Sequence, residues 1–365
     1  MTLARGALSA TSLGIRIGTL PPGPKNAITD VRGVAVGHCT VTNDSNPSIQ
    51  TGVTVILPHQ GNPFLQKVVA GCHVINGYGK STGLVQIHEL GYLESPIALT
   101  NTFSIPAVTE GLLDRLLKDN PAVGDTMTSV NTVVAECNDS RLNDMRGRHV
   151  RPRHVRSALG AASTGPVLQG AVGAGRGMSA FGLKGGIGTA SRVVGDSEPW
   201  TVGVLVLSNF CQLEELVIAG RPVGNRLASE RRVQQPPGAG GSIIVVVGTD
   251  AIISDRELTR LLRRVQNGLA RTGSSTSHNS GEIAIGFITE AVGNGSTTGG
   301  PVGRHVAEND GPFLDLLFQA VGDATEEAVL NSLFNAATVV GKRGAQSEGF
   351  PIDRIGELMA LTPQS

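Results

Sequence analysis

Residues 234–250 read Gln-Gln-Pro-Pro-Gly-Ala-Gly-Gly-Ser-Ile-Ile-Val-Val-Val-Gly-Thr-Asp, a loop rich in proline and glycine that runs directly into apolar, β-branched residues. The change occurs at Ser242, and residues 243–247 then form the continuous apolar run that is typical of a strand buried on both faces. Such a strand requires a covering layer on each side, so the segment predicts a sheet packed against helices or against a second sheet.

Ser242 itself has two interpretations. It is either an ordinary first residue of a buried strand or the nucleophile of a chain that cuts itself at the Gly241–Ser242 bond. Self-cleavage needs a deformable loop before the bond and a rigid strand that fixes the serine behind it, and both conditions are met here. A serine released in this way has a hydroxyl that attacks and a free amine that serves as the local base.

Composition describes a globular protein without an electrostatic reason to bind polyanions. The 365 residues are 40% hydrophobic and include 49 glycines, while the formal net charge is +0. This balance gives no case for nucleic acid or an anionic membrane as a partner. One basic cluster lacks the aromatic residues that stack on bases, so it indicates a solvated loop or a subunit contact. Its members are Arg146, Arg148, Arg151, Arg153 and Arg156, interleaved with His149 and His154.

Cysteine and histidine spacing predicts neither a disulfide framework nor a metal site. The four cysteines, Cys39, Cys72, Cys137 and Cys211, are far apart, and the eight histidines form no recognisable ligand motif. We therefore expect reduced thiols, no metal and no cofactor. The first ten residues lack a secretory pattern, and no apolar run approaches the ~20 residues of a membrane span. These features predict a cytoplasmic protein that does not associate with membranes.

Strand-like and helical patterns alternate along the chain, which favours a mixed fold with helices covering sheets. The expected strands are 52–57, 132–136, 201–207, 242–248 and 282–289. The expected helices are 255–271, with Ser254 as N-cap, a segment after Asp323 that ends before Gly341, and a shorter one near 110–118.

Two unusual segments are interpreted as turns and loops. Residues 165–191 are rich in glycine, but no phosphate-binding motif is in register and no helical pattern follows, so tight turns are favoured over a nucleotide site. Residues 221–241 resemble a linker, yet the strands that follow look too buried to form a separate unit. We therefore predict one domain over 1–365.

Polar residues at the ends of other apolar strands are candidates to assist Ser242. The amide of Asn209 follows residues 202–207 and can donate to a developing oxyanion. Ser280 and Glu282 open another strand and share a face, because positions two apart in an extended chain point the same way. Glu136 offers a carboxylate for a substrate cation. His278 is a nominal base, although a solvated loop histidine is the favoured interpretation.

Taken together, these segments resemble the DmpA family of L-aminopeptidase/D-esterases and β-aminopeptidases, which mature by cutting a Gly-Ser bond. The resemblance covers nearly the whole chain. It is carried by residues 26–38 (Asn-Ala-Ile-Thr-Asp-Val-Arg-Gly-Val-Ala-Val-Gly-His), 51–58, 96–102, 138–147 (Asn-Asp-Ser-Arg-Leu-Asn-Asp-Met-Arg-Gly), 170–192, 204–210, 241–250 and 280–287. A single Gly-Ser pair is weak evidence for this family, but so many matching segments in the same order are specific to it.

The resemblance implies an α+β fold, a four-layer αββα sandwich of the N-terminal-nucleophile type, and cleavage into 1–241 (α chain) and 242–365 (β chain). It assigns Ser242 as nucleophile, Gly241 as the carbonyl side of the cut bond and Asn209 as oxyanion donor. Ser280 and Glu282 match the pair that orients or deprotonates the nucleophile, and which group is the base stays open. Glu136 is expected to hold the substrate's ammonium. The implied assembly is a homotetramer of αβ units acting on short peptides or aminoacyl amides.

Arg141 departs from the family pattern, because L-aminopeptidase/D-esterase members carry tyrosine in the Asn-Asp-x-Tyr-Leu-Asn-Asp motif. A guanidinium in place of a phenol adds fixed charge and reach, which predicts an altered substrate range. Two alternatives stay open. The same nucleophile can serve an amide hydrolase or acyltransferase of a specialised metabolite, and an unprocessed relative can bind a ligand without catalysis.

Overall fold

A computed structural model of the chain describes residues 8–195, 199–230, 241–289 and 311–360. The strands within them are β1 (Ala35–Thr42), β2 (Gln50–Leu57), β3 (Val68–Gly77), β4 (Tyr92–Leu93), β5 (Ile97–Asn101), β6 (Val133–Cys137), β7 (Ser179–Ala180), β8 (Leu183–Lys184), β9 (Gly186–Val194), β10 (Trp200–Asn209), β11 (Ser242–Thr249), β12 (Gly281–Ile288), β13 (Val339–Val340) and β14 (Gln346–Ser347). The α-helices are α1 (Leu84–Leu90), α2 (Ile105–Asp119), α3 (Pro152–Gly160), α4 (Val223–Glu230), α5 (Asp255–Leu262), α6 (Val265–Arg271), α7 (Pro312–Phe334) and α8 (Ile355–Met359).

Two sheets form the centre of the molecule. One has the order β1-β2-β5-β6, and the other has the order β4-β3-β12-β11-β10-β9. In the larger sheet β11 and β12 are parallel neighbours, whereas β10 and β3 flank them in antiparallel pairs. The apolar run after Ser242 therefore lies in the middle of the larger sheet, as its continuous hydrophobicity predicts.

Three hydrophobic cores separate four layers. Between the sheets, Ile244 and Val246 of β11 pack with residues of β5 and β6. On the other face of the same strand, Val245 and Val247 belong to a core that includes residues of α5, α6 and α7. The outer face of the smaller sheet packs against α2 and α3 through a third core. The order helix, sheet, sheet, helix is the αββα arrangement that the family resemblance implies.

Helix α7 lies close against β9 because a glycine removes the obstacle. A Cβ on Gly188 would lie 1.9 Å from the Ala328 carbonyl oxygen, so a side chain at this position would displace the helix. A buried ion pair, Arg192 to Glu327 at 2.7 Å, joins the same two elements. The predicted helix after Asp323 therefore exists, but it begins eleven residues earlier, at Pro312. Among the described residues, no helix combines the length and the apolarity required to cross a membrane.

The predicted helix over 255–271 is present as two helices. Its N-cap is as expected, since the Ser254 side chain accepts a hydrogen bond from the Glu257 N–H. The chain then turns at Arg263 and Arg264, where the Arg264 N–H bonds to the Leu261 carbonyl three residues back. The glycine-rich segment also differs from a simple set of turns, because it includes β7, β8 and most of β9.

Candidate active site

Ser242 begins the central strand β11 and lies between the ends of its two neighbours. The register pairs it with Asn209, the last residue of β10, and with Gly281, the first residue of β12. Ser242 is buried, with 4% of its surface exposed. Three of the segments singled out in the sequence thus meet at one edge of one sheet.

The hydroxyl of Ser242 points toward the space between the two sheets. Side chains alternate along a strand, so Ser242 shares a face with Ile244 and Val246, which pack in the core between the sheets. The peptide N–H of Asn138, just after β6, donates to Ser242 Oγ at 3.3 Å. Burial raises the pKa of the adjacent Cys137 well above its usual range, so this residue stays a neutral thiol beside the serine.

Asn209 is fixed in one amide orientation by two hydrogen bonds. Its Oδ1 accepts from the Ser179 N–H at 2.9 Å, and its Nδ2 donates to the Asn138 carbonyl at 2.9 Å. An amide NH₂ has two hydrogens, so one donor of Nδ2 is available beyond the bond to Asn138. The Asn138 peptide therefore connects the predicted nucleophile with the predicted oxyanion donor.

The N–H of Asn138 is a functional candidate that sequence reasoning missed. It lies within hydrogen-bond distance of Ser242 Oγ. When Oγ attacks a substrate carbonyl, the oxyanion forms on the carbonyl oxygen next to Oγ, where this N–H could donate to it. A backbone donor has no side-chain signature, so only the position of Asn138 directly after a buried strand could have pointed to it.

A buried lysine supports the loop that holds Asn209. The ammonium of Lys184 donates to the carbonyls of Gly175 at 2.9 Å, Met178 at 2.5 Å and Gly185 at 2.7 Å, and burial lowers its pKa. The bond to Met178 fixes the residue directly before Ser179, whose N–H holds Asn209. Asp139, directly after Asn138, is fully buried, and burial raises its pKa to about 7. Sequence analysis does not identify the role of Lys184, because this residue lies in a segment interpreted as turns.

Glu136 lies in β6, two residues before Asn138, and is 3% exposed. Its Oε1 accepts the Lys80 N–H at 3.0 Å, and the Thr102 hydroxyl donates to Oε2. The segment 78–80 lies between Glu136 and Gly281, the first residue of β12 and the neighbour of Ser242 in the sheet. An added Cβ on Gly281 would lie 3.2 Å from Gly79 Cα, and one on Gly79 would lie 3.9 Å from Glu136 Oε1. A carboxylate is thus positioned next to the strand ends.

Ser280 and Glu282 flank Gly281, but the Glu282 side chain lies on the opposite face of the sheet from Ser242 Oγ. Glu282 is on the face of β12 that carries Ala284 and Ile288 into the core beneath the helices. Its Oε2 accepts from the Thr276 hydroxyl at 2.9 Å. Burial raises the pKa of Glu282, and the hydroxyls of Ser280 and Thr276 act against that rise.

The two remaining candidates lie at the surface. Arg141 is exposed in the loop after β6, and one guanidinium nitrogen donates to the Gln346 carbonyl at 3.2 Å. His278 is exposed, in agreement with the interpretation as a solvated loop residue. Its carbonyl accepts a hydrogen bond from the Asn76 side chain at 3.0 Å.

Comparison with known proteins decides the family. The sequence model of peptidase family S58 matches residues 26–347. The chain belongs to peptidase family S58. Among curated relatives, the β-peptidyl aminopeptidase BapA of Sphingosinicella microcystinivorans is 39% identical, with 90% of this chain and 86% of that protein covered. The BapA enzyme of Sphingosinicella xenopeptidilytica is 38% identical, with 93% and 88% covered.

Solved structures agree with this assignment. A β-aminopeptidase from a Burkholderia species superposes with a TM-score of 0.87 at 42% identity, covering 96% of this chain and 98% of the other. The L-aminopeptidase D-Ala-esterase/amidase of Ochrobactrum anthropi, described as a prototype serine aminopeptidase with a variant of the Ntn hydrolase fold, gives 0.86 at 35% identity, with 96% and 98% covered. The predicted DmpA-type family, the αββα fold and an aminopeptidase-type hydrolase are thereby confirmed for this S58 member.

Proposed function

We propose that this S58 peptidase is a self-cleaving serine aminopeptidase that cuts its own Gly241–Ser242 bond and then releases N-terminal residues from short peptides, amides or esters. The observation that carries the proposal is the position of Ser242 at the head of a buried central strand, next to Asn209 and the Asn138 N–H. Its relatives named as β-peptidyl aminopeptidases support β-amino acyl groups among its substrates.

Cleavage would create the mature enzyme in two steps. Ser242 Oγ attacks the Gly241 carbonyl carbon, the C–N bond breaks, and water then hydrolyses the resulting ester. The mature serine attacks the first peptide bond of a substrate, and a second water releases the acyl group. The freed amine of Ser242 belongs to the backbone, so it is not restricted to the Oγ face and can approach Ser280 and Glu282. That trio supplies the general base.

Glu136 would bind the free ammonium of the substrate. Its charge is held beside the strand ends by hydrogen bonds from Lys80 and Thr102, so little reorganisation is required when a cation arrives. We expect Glu136→Gln to raise KM by about ten- to hundredfold, because a hydrogen bond to a charged group contributes about 1.5–3 kcal/mol. Steady-state kinetics on an aminoacyl amide measures this. A fall in kcat at constant KM would assign Glu136 to the chemical step instead.

Arg141 would affect the range of substrates rather than self-cleavage, since its side chain is exposed in the loop after β6. We expect Arg141→Tyr to lower kcat/KM for substrates with an acidic group relative to neutral ones by up to about fivefold, the scale of an exposed ion pair. A panel of α-, β- and D-aminoacyl amides measures the change. Arg146→Tyr is a matched control, because it removes another exposed arginine from the same loop. Unchanged relative rates in Arg141→Tyr would contradict the proposal.

Intact mass spectrometry of the purified wild-type protein tests the central claim. We expect two chains, 1–241 and 242–365, and turnover of an aminoacyl amide. One persistent chain without turnover would indicate a non-catalytic binding relative. Two chains that hydrolyse no aminoacyl substrate would indicate a specialised amide hydrolase or acyltransferase.

The proposal extends to a homotetramer of αβ units in the cytoplasm, without metal or cofactor. The four cysteines are unpaired thiols, which suits a reducing compartment. Light scattering of the processed protein measures the assembly, and a monomeric αβ mass would exclude the tetramer.

A further inference from the structure

The carbonyl of the bond to be cut is already held by a hydrogen-bond donor. The peptide N–H of Gly281 donates to the Gly241 carbonyl oxygen at 3.1 Å. This bond is the outermost one between β11 and β12 at the Ser242 end. At the other end of the same strand pair, the Thr289 N–H donates to the Thr249 carbonyl at 2.9 Å. The contact therefore belongs to a regular parallel ladder and is anchored by every pair behind it.

Both partners in this contact are glycines in places where a side chain does not fit. A Cβ on Gly241 would lie 2.7 Å from Phe210 Cα, and a Cβ on Gly281 would lie 2.6 Å from the Tyr78 carbonyl oxygen. Real Cβ atoms do not approach other atoms so closely, so a substitution would push the strand ends apart. The absence of side chains allows the donor and the carbonyl to come within hydrogen-bond distance.

The two hydrogen bonds that hold the Asn209 amide do not involve the bond to be cut. Asn209 Oδ1 accepts from the Ser179 N–H and Nδ2 donates to the Asn138 carbonyl, and neither bond involves Gly241. The Asn138 N–H approaches Ser242 Oγ, the attacking atom, rather than the Gly241 carbonyl. The donors that surround the nucleophile on its own face of the sheet are therefore distinct from the donor on the carbonyl.

We propose that the Gly281 N–H is the oxyanion donor of self-cleavage, whereas the Asn209 amide serves substrate hydrolysis. This inference rests on the proposed self-cleavage. As the Oγ–C bond forms, negative charge develops on the Gly241 oxygen, which already accepts from Gly281. The C–N bond then breaks, and the Oγ proton ends on the Ser242 nitrogen, which becomes the free amine. Water cleaves the ester, leaving a Gly241 carboxylate and restoring the hydroxyl. A donor that needs no reorganisation lowers the barrier for charge development most effectively.

Replacing one peptide bond by an ester tests the donor directly. Glycolic acid is placed at position 281 by nonsense suppression in cell-free translation, which substitutes oxygen for the N–H and retains every side chain. The matched control is the hydroxy-acid analogue of threonine at position 289, which removes the ladder bond at the far end. We expect self-cleavage to slow by about 10²–10³-fold in the first variant, as for loss of an oxyanion-hole donor, and by less than about threefold in the second. Self-cleavage rates are measured by intact mass spectrometry. Each variant is first separated by chromatography, and only the fraction with the elution volume of the Ser242→Ala precursor is compared.

A side-chain pair covers the possibility that the ester at 281 does not fold. Gly281→Ala keeps the N–H but forces it away from Gly241 through the contact with Tyr78. Gly286→Ala overpacks the same strand, since its Cβ would lie 2.8 Å from Leu262 Cδ2, far from the bond to be cut. We expect Gly281→Ala to cleave at least tenfold more slowly than Gly286→Ala at matched melting temperature. Equal rates within either pair would overturn the proposal. A wild-type chain that never cuts itself would instead refute self-cleavage, so the two failures are distinguishable.

Discussion

Replacing Ser242 with alanine is expected to leave a single chain of 365 residues that hydrolyses no aminoacyl amide. The variant lacks the hydroxyl that is proposed to attack the Gly241 carbonyl, and removing the nucleophile of a serine hydrolase lowers kcat by about 10⁶-fold. Intact mass and an amide hydrolysis assay on the same sample measure both losses. The fold should survive, because the hydroxyl accepts a hydrogen bond from the Asn138 N–H at 3.3 Å, and such a bond contributes only about 0.5–1.5 kcal/mol.

Ser242→Cys is the informative companion. A thiol retains a nucleophile at the same position, so slow appearance of the two chains is expected, with weaker hydrolysis of amides. Two chains from Ser242→Ala would show that a different group or an outside protease cuts the protein. A single chain that still turns over substrate would separate catalysis from cleavage and refute the N-terminal nucleophile.

Asn209→Ala is expected to lower kcat for aminoacyl amides by about 10²–10³-fold with little change in KM, as observed when one oxyanion-hole donor is removed. The amide is held by Ser179 and Asn138, so the direction of its remaining N–H is fixed. Kinetics on processed enzyme measures the split between kcat and KM. A structural role alone would lower the melting temperature and the yield without this selective fall in kcat.

Asn209→Asp is the matched variant of equal shape. It keeps an acceptor for the Ser179 N–H but replaces the donor with a carboxylate oxygen, which would face the Asn138 carbonyl and the developing oxyanion. Its kcat should therefore fall at least as far as that of Asn209→Ala. A kcat within tenfold of wild type in either variant would remove Asn209 from the oxyanion site and leave the Asn138 N–H as the main donor.

The predictable parts of the fold are those that depend on the local spacing of apolar residues. The run after Ser242 forms β11 within one residue of its predicted end, because continuous β-branched residues favour a buried strand wherever they lie. The helix over 255–271 is predicted as continuous, because the spacing of its apolar residues continues without a break through the turn at Arg263 and Arg264. The extension of α7 back to Pro312 was missed because that part carries apolar residues on several faces.

The candidate site was predictable as a set of residues but not as a geometry. Strand periodicity predicts that Ser280 and Glu282 share a direction, but the face on which Glu282 lies relative to Ser242 depends on the register between β11 and β12, which is a tertiary property. Backbone donors such as the N–H groups of Asn138 and Gly281 are invisible in a sequence. The buried ammonium of Lys184 was equally hidden, because its three acceptors are backbone carbonyls of the same glycine-rich segment, and backbone acceptors have no side-chain signature.

The central position of β11 and β12 has a consequence for the life of the molecule after the cut. The proposed cut would place these two strands in the second piece, yet they lie between β3 and β10, which would belong to the first piece. Two polypeptides would then share one woven sheet, and neither could leave without opening ladders on both sides. Once such a pair is denatured, reassembly becomes a bimolecular encounter instead of a search within one chain. The mature protein would therefore persist because it unfolds slowly, rather than because it refolds readily. Efficient folding would be a property of the uncut precursor alone.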